Sequence, residues 1–516
     1  MFRHVCSRVY LTGGRCGRSA VLTSSIAAPK VPSSFSKVDD DDDFSPSPVK
    51  IYQGSSDTFN TFHVHDGGGA VRFFSGIRNI PRDEAMKYMP RLKKANSTEA
   101  IYILEDIERD GFIPDVFHYS AAISKCAKDG KLDEAKKIFR QMKKNKVAPN
   151  EFTLNSLIDA CANAGDVEEA VKYLREMEEK HYLWPGVQSF SGAISACEKA
   201  GNWEKAIELL RESEHREIPP DVIIYAATIS ACGKGGQTKK ALDLFIEMEN
   251  RGIEPNGITF SAAISACEKG GGEHTETALA LFREMCNRNI CPTVITYGAT
   301  ISACEKGGAK YTDKALALFE ELEDFSLEPE IVTYNALIRA CGVGGTKYVD
   351  FSLTKFEEMK WQNIEPDEIC FSSLIKACYD NKRYPEALEK AKEAASMSFL
   401  SALEAESNKW DLHGLSEAEA CMLLASALIL SVDTKAFRKI LVITGKGKNS
   451  EDGPVLQEKV PVFLRDVAGL GLTEFISKNG KVNEGRFVIT KKALQKWAKS
   501  DDYKHFRGLM TGKEKE

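Results

Sequence analysis

VFHYSAAISKCAKDGKLDEAKKIFRQMKKNKVAPN, residues 116–150, decides the fold. Tyr119, Ile123 and Cys126 stand at spacings of 4 and 3, which puts their side chains on one face of a helix. Gly130 ends that helix, where a residue without Cβ takes a left-handed C-cap at little cost. LDEAKKIFRQMKK repeats the apolar periodicity as a second helix, and Pro149 closes the segment because proline cannot continue a helix. The same grammar returns down the chain. Cys126, Cys161, Cys197, Cys232, Cys267, Cys304, Cys341 and Cys378 are separated by steps of 35, 36, 35, 35, 37, 37 and 37 residues. Each follows an isoleucine by three positions, and an aromatic residue or leucine lies four before that. The units read Pro81–Asp115, Val116–Asn150, Glu151–Gly186, Val187–Asp221, Val222–Asn256, Gly257–Thr293, Val294–Glu330 and Ile331–Asp367, and a final one opens at Glu368. The extra residues of later units fall in GGGEHTETA and GGAKYTDKA, near the inter-helix turn, where a loop absorbs them. Helix pairs of this size bury their apolar faces only against neighbours, so they stack.

The cysteine period reads as packing. Neighbouring helices lie about 8–10 Å apart, whereas a disulfide needs its Cα atoms within roughly 7 Å. Zinc needs several ligands on one atom, yet there is no CxxC pair and no histidine repeats with the cysteines. Free thiols along such a stretch point to a reducing compartment.

A 516-residue chain that is 43% hydrophobic and 28% charged has room for several globular domains. No apolar run approaches the roughly 20 residues of a membrane span, so no membrane contact is expected. The net charge of −6 does not mark a nucleic-acid binder, and residues 116–367 hold 30 Lys+Arg against 39 Asp+Glu. Any RNA contact therefore rests on a local surface. Residues 1–38 contain Arg3, Arg8, Arg15, Arg18, Lys30 and Lys37, many small and hydroxyl residues, and no acid. That is the composition of an organellar transit peptide, or of a disordered basic tail. Residues 39–80, with five successive aspartates, SPSP and DGGG, read as a disordered linker.

The strings VTYNALIRAC, VIIYAATISACGKGG and the opening 35-mer resemble pentatricopeptide repeats over residues 81–405. The resemblance implies a right-handed α-solenoid that binds single-stranded RNA at about one base per repeat, read by the fifth and last residues of each unit. The fifth residues are Ser120, Asn155, Ser191, Ala226, Ser261, Gly298, Asn335 and Ser372; the last are Asn150, Gly186, Asp221, Asn256, Thr293, Glu330 and Asp367. Hydroxyls, amides and carboxylates can hydrogen-bond a base edge, and Ala226 and Gly298 cannot. Under the family's code Ser120/Asn150 favours adenine, Ser191/Asp221 guanine and Asn335/Asp367 uracil. The same polar residues also suit helix starts without any ligand.

From Lys409 the period ends. WDLHGLS reads as a strand and turn, SEAEACMLLASALILS as a helix, KILVITGKG as a buried strand and loop, VLQEKVPVFLRDV as a helix, and RFVIT as a strand. This is a small α/β domain over 409–490, followed by a mixed-charge helical tail over 491–516 that caps in solvent. TGKGKNS lacks the spacing of a P-loop but offers backbone N–H groups and two lysines to a phosphate. Asp411-Leu412-His413-Gly414, Thr444-Gly445-Lys446-Gly447 and Asn483-Glu484-Gly485-Arg486 resemble three ordered motifs of the small MutS-related (Smr) domain. Some members nick DNA or cleave RNA, and others do not cleave. The resemblance implies that His413 moves a proton, that Asp411 orients it or helps hold Mg²⁺ or Mn²⁺, and that Lys446 and Lys448 bind a backbone phosphate, with Arg486 at the closing turn.

Together the motifs imply an organellar RNA-binding protein of RNA processing, stability or translation, in the mitochondrion or alternatively the plastid, alongside other RNA-processing proteins. The competing expectation is a non-catalytic helical scaffold for a protein partner.

Overall fold

The computed structural model describes residues 78–400, 409–444, 455–470, 473–476 and 482–512. The expected transit segment 1–38, nearly all of the 39–80 linker, and Gly445, Lys446, Gly447 and Lys448 lie outside the described residues. Helices Val116–Lys128 and Leu132–Lys144 form the unit quoted above, and pairs of the same kind run from Arg82–Lys94 with Ser97–Arg109 to Glu368–Asp380 with Tyr384–Ser396. Two short strands, β1 (Arg78–Asn79) and β2 (Phe112–Ile113), pair in parallel at the first unit.

Each turn follows from its glycine. Gly130, Gly165, Gly201 and Gly236 have φ of 68°, 72°, 67° and 70°, a left-handed region that penalises a Cβ. In the 37-residue units Gly271 and Gly308 reach φ of 92° and 89°, and the added residues wind into one 3₁₀ turn each, Gly272–His274 and Ala309–Tyr311. After those turns the hydroxyls of Thr275 and Thr312 donate to the carbonyls of Ala303 and Ala340 in the following unit, at 2.9 and 3.2 Å, as Thr238 does to Ala266 at 2.9 Å without such a turn.

Stacking buries the face read from the period. Tyr119, Ile123 and Cys126 are fully buried, and no cysteine of the series is more than 1% exposed. None is in a disulfide. Burial pushes the thiols of Cys126, Cys197, Cys232, Cys267 and Cys304 up to about 11 and those of Cys161, Cys341 and Cys378 up to about 12. They are neutral packing groups. Edge-to-face pairs join the second helix of one unit to the first helix of the next: Phe245 with Phe260 at 5.1 Å, Phe282 with Tyr297 at 5.0 Å, Phe319 with Tyr334 at 5.2 Å. Such a pair adds about 0.5–1.5 kcal/mol beyond area burial.

The C-terminal domain holds a four-stranded sheet in the order β3 (Lys409–Asp411), β4 (Ile440–Ile443), β6 (Val482–Ile489), β5 (Thr473–Ile476). β3 and β4 are parallel, and the other neighbours antiparallel. β5 adds a strand to the expected order; its TEFI lacks the continuous apolar run that marked β4. Helix Glu417–Asp433 packs against the last repeat: Tyr379 Oη donates to Glu417 Oε1 at 3.4 Å, and its ring lies 6.4 Å from that of Phe463. The tail expected to cap in solvent is instead folded into the domain. Helices Lys491–Trp497 and Asp501–Thr511 bury Leu494, Trp497, Phe506 and Met510. Trp497 Nε1 donates to the Ala468 carbonyl at 2.6 Å. Spacings of 3 and 4 within those pairs give each short helix an apolar edge that its lysines and aspartates mask in a composition count. No described helix is long and apolar enough to cross a membrane.

Candidate nucleic-acid interface

The last residue of a unit is the N-cap of the next first helix. Asn150, Asp221, Asn256, Thr293 and Asp367 all accept backbone N–H groups there, which satisfies donors that a helix start leaves open. Gly186 and Glu330 give no such side-chain bond.

A third residue, which the sequence reading passed over, joins the fifth and last positions. It is the third residue of the following first helix. Ser120 and Thr153 share a hydroxyl–hydroxyl bond of 2.6 Å, and Thr153 Oγ1 donates to Asn150 Oδ1 at 2.8 Å. Ser261 meets Thr296 at 2.7 Å, and Thr296 meets Thr293 at 3.1 Å. Ser189 Oγ donates to Asn155 Oδ1 at 2.7 Å. In the eighth unit the contact is direct: Asn335 Nδ2 donates to Asp367 Oδ1 at 3.4 Å, and the buried Asn335 Oδ1 has no partner among the described residues. Native structures leave few buried acceptors open, and those often mark a ligand site. A Cβ on Gly298 would sit 3.3 Å from Thr333 Oγ1, so the niche persists where its polar group is missing.

The remaining expected residues are placed separately. Ser191 lines a cavity of about 340 Å³ with Gln188 and Asp159, whose carboxyl burial pushes up. Asp221 Oδ1 takes the N–H groups of Ile223 and Ile224 at 3.0 and 2.9 Å. Asn256 accepts from Thr259, beside the alanine at position 226. Ser372 is half-buried on helix Glu368–Asp380.

A second row was also missed. Phe117, Phe152, Ile223, Ile258, Ile295, Val332 and Ile369, each the second residue of its unit, are between 52% and 69% exposed. Period alone would have found them, since an apolar side chain recurs there on the face opposite the buried one. Exposed lysines recur in the last turn of the first helices; Lys234 and Lys306 reach Glu198 and Glu268 of the preceding units at 2.9 and 2.7 Å.

In the C-terminal domain, Asp411 and His413 lie where parallel β3 and β4 end, the side of such a sheet where ligands bind. Leu412 N donates to the Ile443 carbonyl at 2.8 Å and fixes the turn. His413 Nδ1 lies 2.6 Å from Asp411 Oδ1, and Lys409 Nζ 3.2 Å from Asp411 Oδ2. Burial alone would raise the Asp411 carboxyl; the bonds from His413 and Lys409 outweigh it and hold it below the ordinary carboxylate range. The contact with Asp411 orients the exposed imidazole, an arrangement suited to proton transfer. Thr444 follows β4, and its buried hydroxyl has no partner among the described residues. Arg486 is exposed beside it, opposite Ile443 in register. Both Asp411 oxygens are engaged, and no group of three or more His, Cys, Asp or Glu side chains comes together among the described residues. Among the described residues, the chemistry that the His413–Asp411 pair itself offers is proton transfer.

Comparison with known families agrees with this architecture. The PPR repeat family matches residues 114–163 and 220–269, the pentatricopeptide repeat domain 276–344, and the PPR repeat 152–182 and 189–218. The Smr domain matches 410–478. Among solved structures, the pentatricopeptide repeat protein PPR10 in complex with an 18-nt psaJ RNA element is 19% identical, with a TM-score of 0.51, covering 66% of this chain and 46% of that one. The pentatricopeptide repeat protein PPR10 from maize is 22% identical, with a TM-score of 0.39, covering 68% of this chain and 47% of that one. The chain thus spans less than half the length of these proteins, and at such identity the likeness concerns the fold alone. No curated protein matches. The chain is a pentatricopeptide repeat protein with a C-terminal Smr domain.

Proposed function

We propose that the array binds single-stranded RNA along the row of first-helix starts, and that the Smr domain binds or cleaves the same nucleic acid. The observation that carries this reading is the recurring niche in which fifth and last residues are bridged through a hydroxyl, flanked unit by unit by an exposed apolar second residue. A base stacks on the apolar row and turns its edge to the bridged pair, which supplies both donors and acceptors. Ser120/Asn150, Ser191/Asp221 and Asn335/Asp367 then select adenine, guanine and uracil. The fold shared with a protein solved on RNA supports this assignment. The acid-free, arginine-bearing first 38 residues support an organelle, the mitochondrion before the plastid, and a role in RNA processing, stability or translation with other processing proteins.

A second reading, a protein-binding scaffold, is favoured by one surface: a cavity of about 1140 Å³ lined by Glu323, Glu328, Glu330, Glu358 and Glu365, which repels phosphate. Filter binding of the full chain to random single-stranded RNA separates the two. Affinity that falls as salt rises supports RNA binding, and no binding at low ionic strength rejects it. For cleavage, the full chain and His413→Ala are incubated with RNA; equal uncut substrate in both leaves the domain as a binder only.

A further inference from the structure

One junction between units departs from all the others. Two residues before each unit's end stand Ile113, Ala148, Pro219, Glu254, Cys291, Glu328 and Glu365, but the third unit places Trp184 there, 85% exposed. Two residues earlier, Tyr182 is 87% exposed and holds φ of 53°. The equivalent left-handed site carries Lys146, Glu217, Asn289, Ser326 and Asn363 in other units. The left-handed backbone is common to these units, so what sets the third apart is a pair of aromatic rings exposed to solvent.

The same junction is where the interface is incomplete. The last residue is Gly186, which offers no side chain to a base, and the second residue of the next helix is Gln188, a polar interruption in the exposed row that is apolar in the other units from Val116 on. Four Cα steps separate Trp184 from Gln188, which holds their backbones within about 15 Å of each other. The unit Val116–Asn150, one unit back, carries 9 Lys+Arg against 3 Asp+Glu, whereas the junction's own unit, Glu151–Gly186, carries 3 against 8, so a nucleotide here would be held by ring stacking and not by local charge. Glu254, Glu328 and Glu365 oppose a phosphodiester at three of the matching sites.

We infer that Trp184, with Tyr182 beside it, is the stacking platform for an RNA base at the third unit, in place of the apolar side chain that Gln188 lacks. The inference rests on the RNA reading above and deepens it: this unit holds a base by its face, with no edge selection from Gly186, and is tolerant of base identity.

The test is fluorescence anisotropy of the full chain with a fluorescein-labelled random-sequence 18-nucleotide single-stranded RNA pool. The variants are Trp184→Ala, Trp184→Phe and Trp361→Ala, the last removing an equally exposed tryptophan, 86% accessible, at the end of helix Thr346–Trp361. All three sites are on the surface, so folding is retained and is checked by circular dichroism. The expected result is a roughly 5- to 150-fold weaker Kd for Trp184→Ala, the range of one lost base stack, with Trp184→Phe and Trp361→Ala near wild type. Wild-type affinity in Trp184→Ala, or an equal loss in Trp361→Ala, overturns the inference while leaving RNA binding standing. No binding by the wild-type chain overturns the RNA reading and this inference with it.

Discussion

Replacing Thr153 with valine tests whether the hydroxyl bridge is a working part of the interface or incidental to a helix cap. Thr153 Oγ1 accepts from Asn150 N at 3.2 Å, donates to Asn150 Oδ1 at 2.8 Å and meets Ser120 Oγ at 2.6 Å. Thr259 makes the same two bonds to Asn256, at 2.8 and 2.9 Å, but the fifth residue of that unit is Ala226, which has no hydroxyl to strand. Thr259→Val therefore loses the cap bonds alone, about 1 kcal/mol. Thr153→Val loses as much and also leaves the Ser120 hydroxyl, only 3% exposed, without its partner. An orphaned buried hydroxyl costs about 1–3 kcal/mol. Removing it as well, in Ser120→Ala/Thr153→Val, recovers most of that increment, so the double-mutant cycle shows coupling above about 0.5 kcal/mol. Urea titration followed by circular dichroism supplies the four values, and valine's own packing gain cancels in the comparison of the two threonines. If Thr153→Val and Thr259→Val cost the same, and Ser120→Ala rescues nothing, the bridge is not an energetic unit.

Three further outcomes follow from the same geometry. Glu330 caps its helix with no side-chain bond, so Glu330→Asn raises stability by about 1 kcal/mol, seen as a higher urea midpoint at unchanged slope. The cysteine series resists alkylation in the native chain at pH 8 and reacts in urea, read by mass spectrometry. Because folding raises these thiols to about 11–12, their contribution is complete below the unfolded value near 8.5 and is lost as pH climbs through the folded one, so the urea midpoint falls above about pH 8.5. Asp411 has the opposite sign: its carboxyl is held low, so its contribution is present above about pH 4 and fades as pH falls below that. Asp411→Asn weakens the restraint on His413, and nuclear magnetic resonance of the His413 ring reports faster motion.

The array was legible because its signal is long and redundant. A face of aromatic, isoleucine and cysteine recurring every 35–37 residues leaves helix pairs as the only regular structure that buries it. The fifth and last positions were legible for the same reason, since a fixed period turns any position into a column. What escaped were relations between columns. Thr153 and Thr296 act on residues of the preceding unit, some 33–35 positions back in the chain, and no local pattern records that contact. The apolar second residues were hidden by expectation: hydrophobic side chains are read as core, and Phe117 or Ile258 is exposed only because the neighbouring unit stacks on the other face. In the C-terminal domain the dyad showed as a motif, whereas the engagement of both Asp411 oxygens is purely three-dimensional.

The contact of Tyr379 with Glu417 and Phe463 bears on how such a chain can change length over evolution. An ordinary solenoid can lengthen at its free end by copying the terminal module. Here the terminal helix pair has become a specialised joint, with a tyrosine where earlier units carry alanine, glycine or glutamate. Copying modules on the N-terminal side of that joint lengthens the array while leaving the joint, and the distance from it to the Asp411–His413 pair, unchanged.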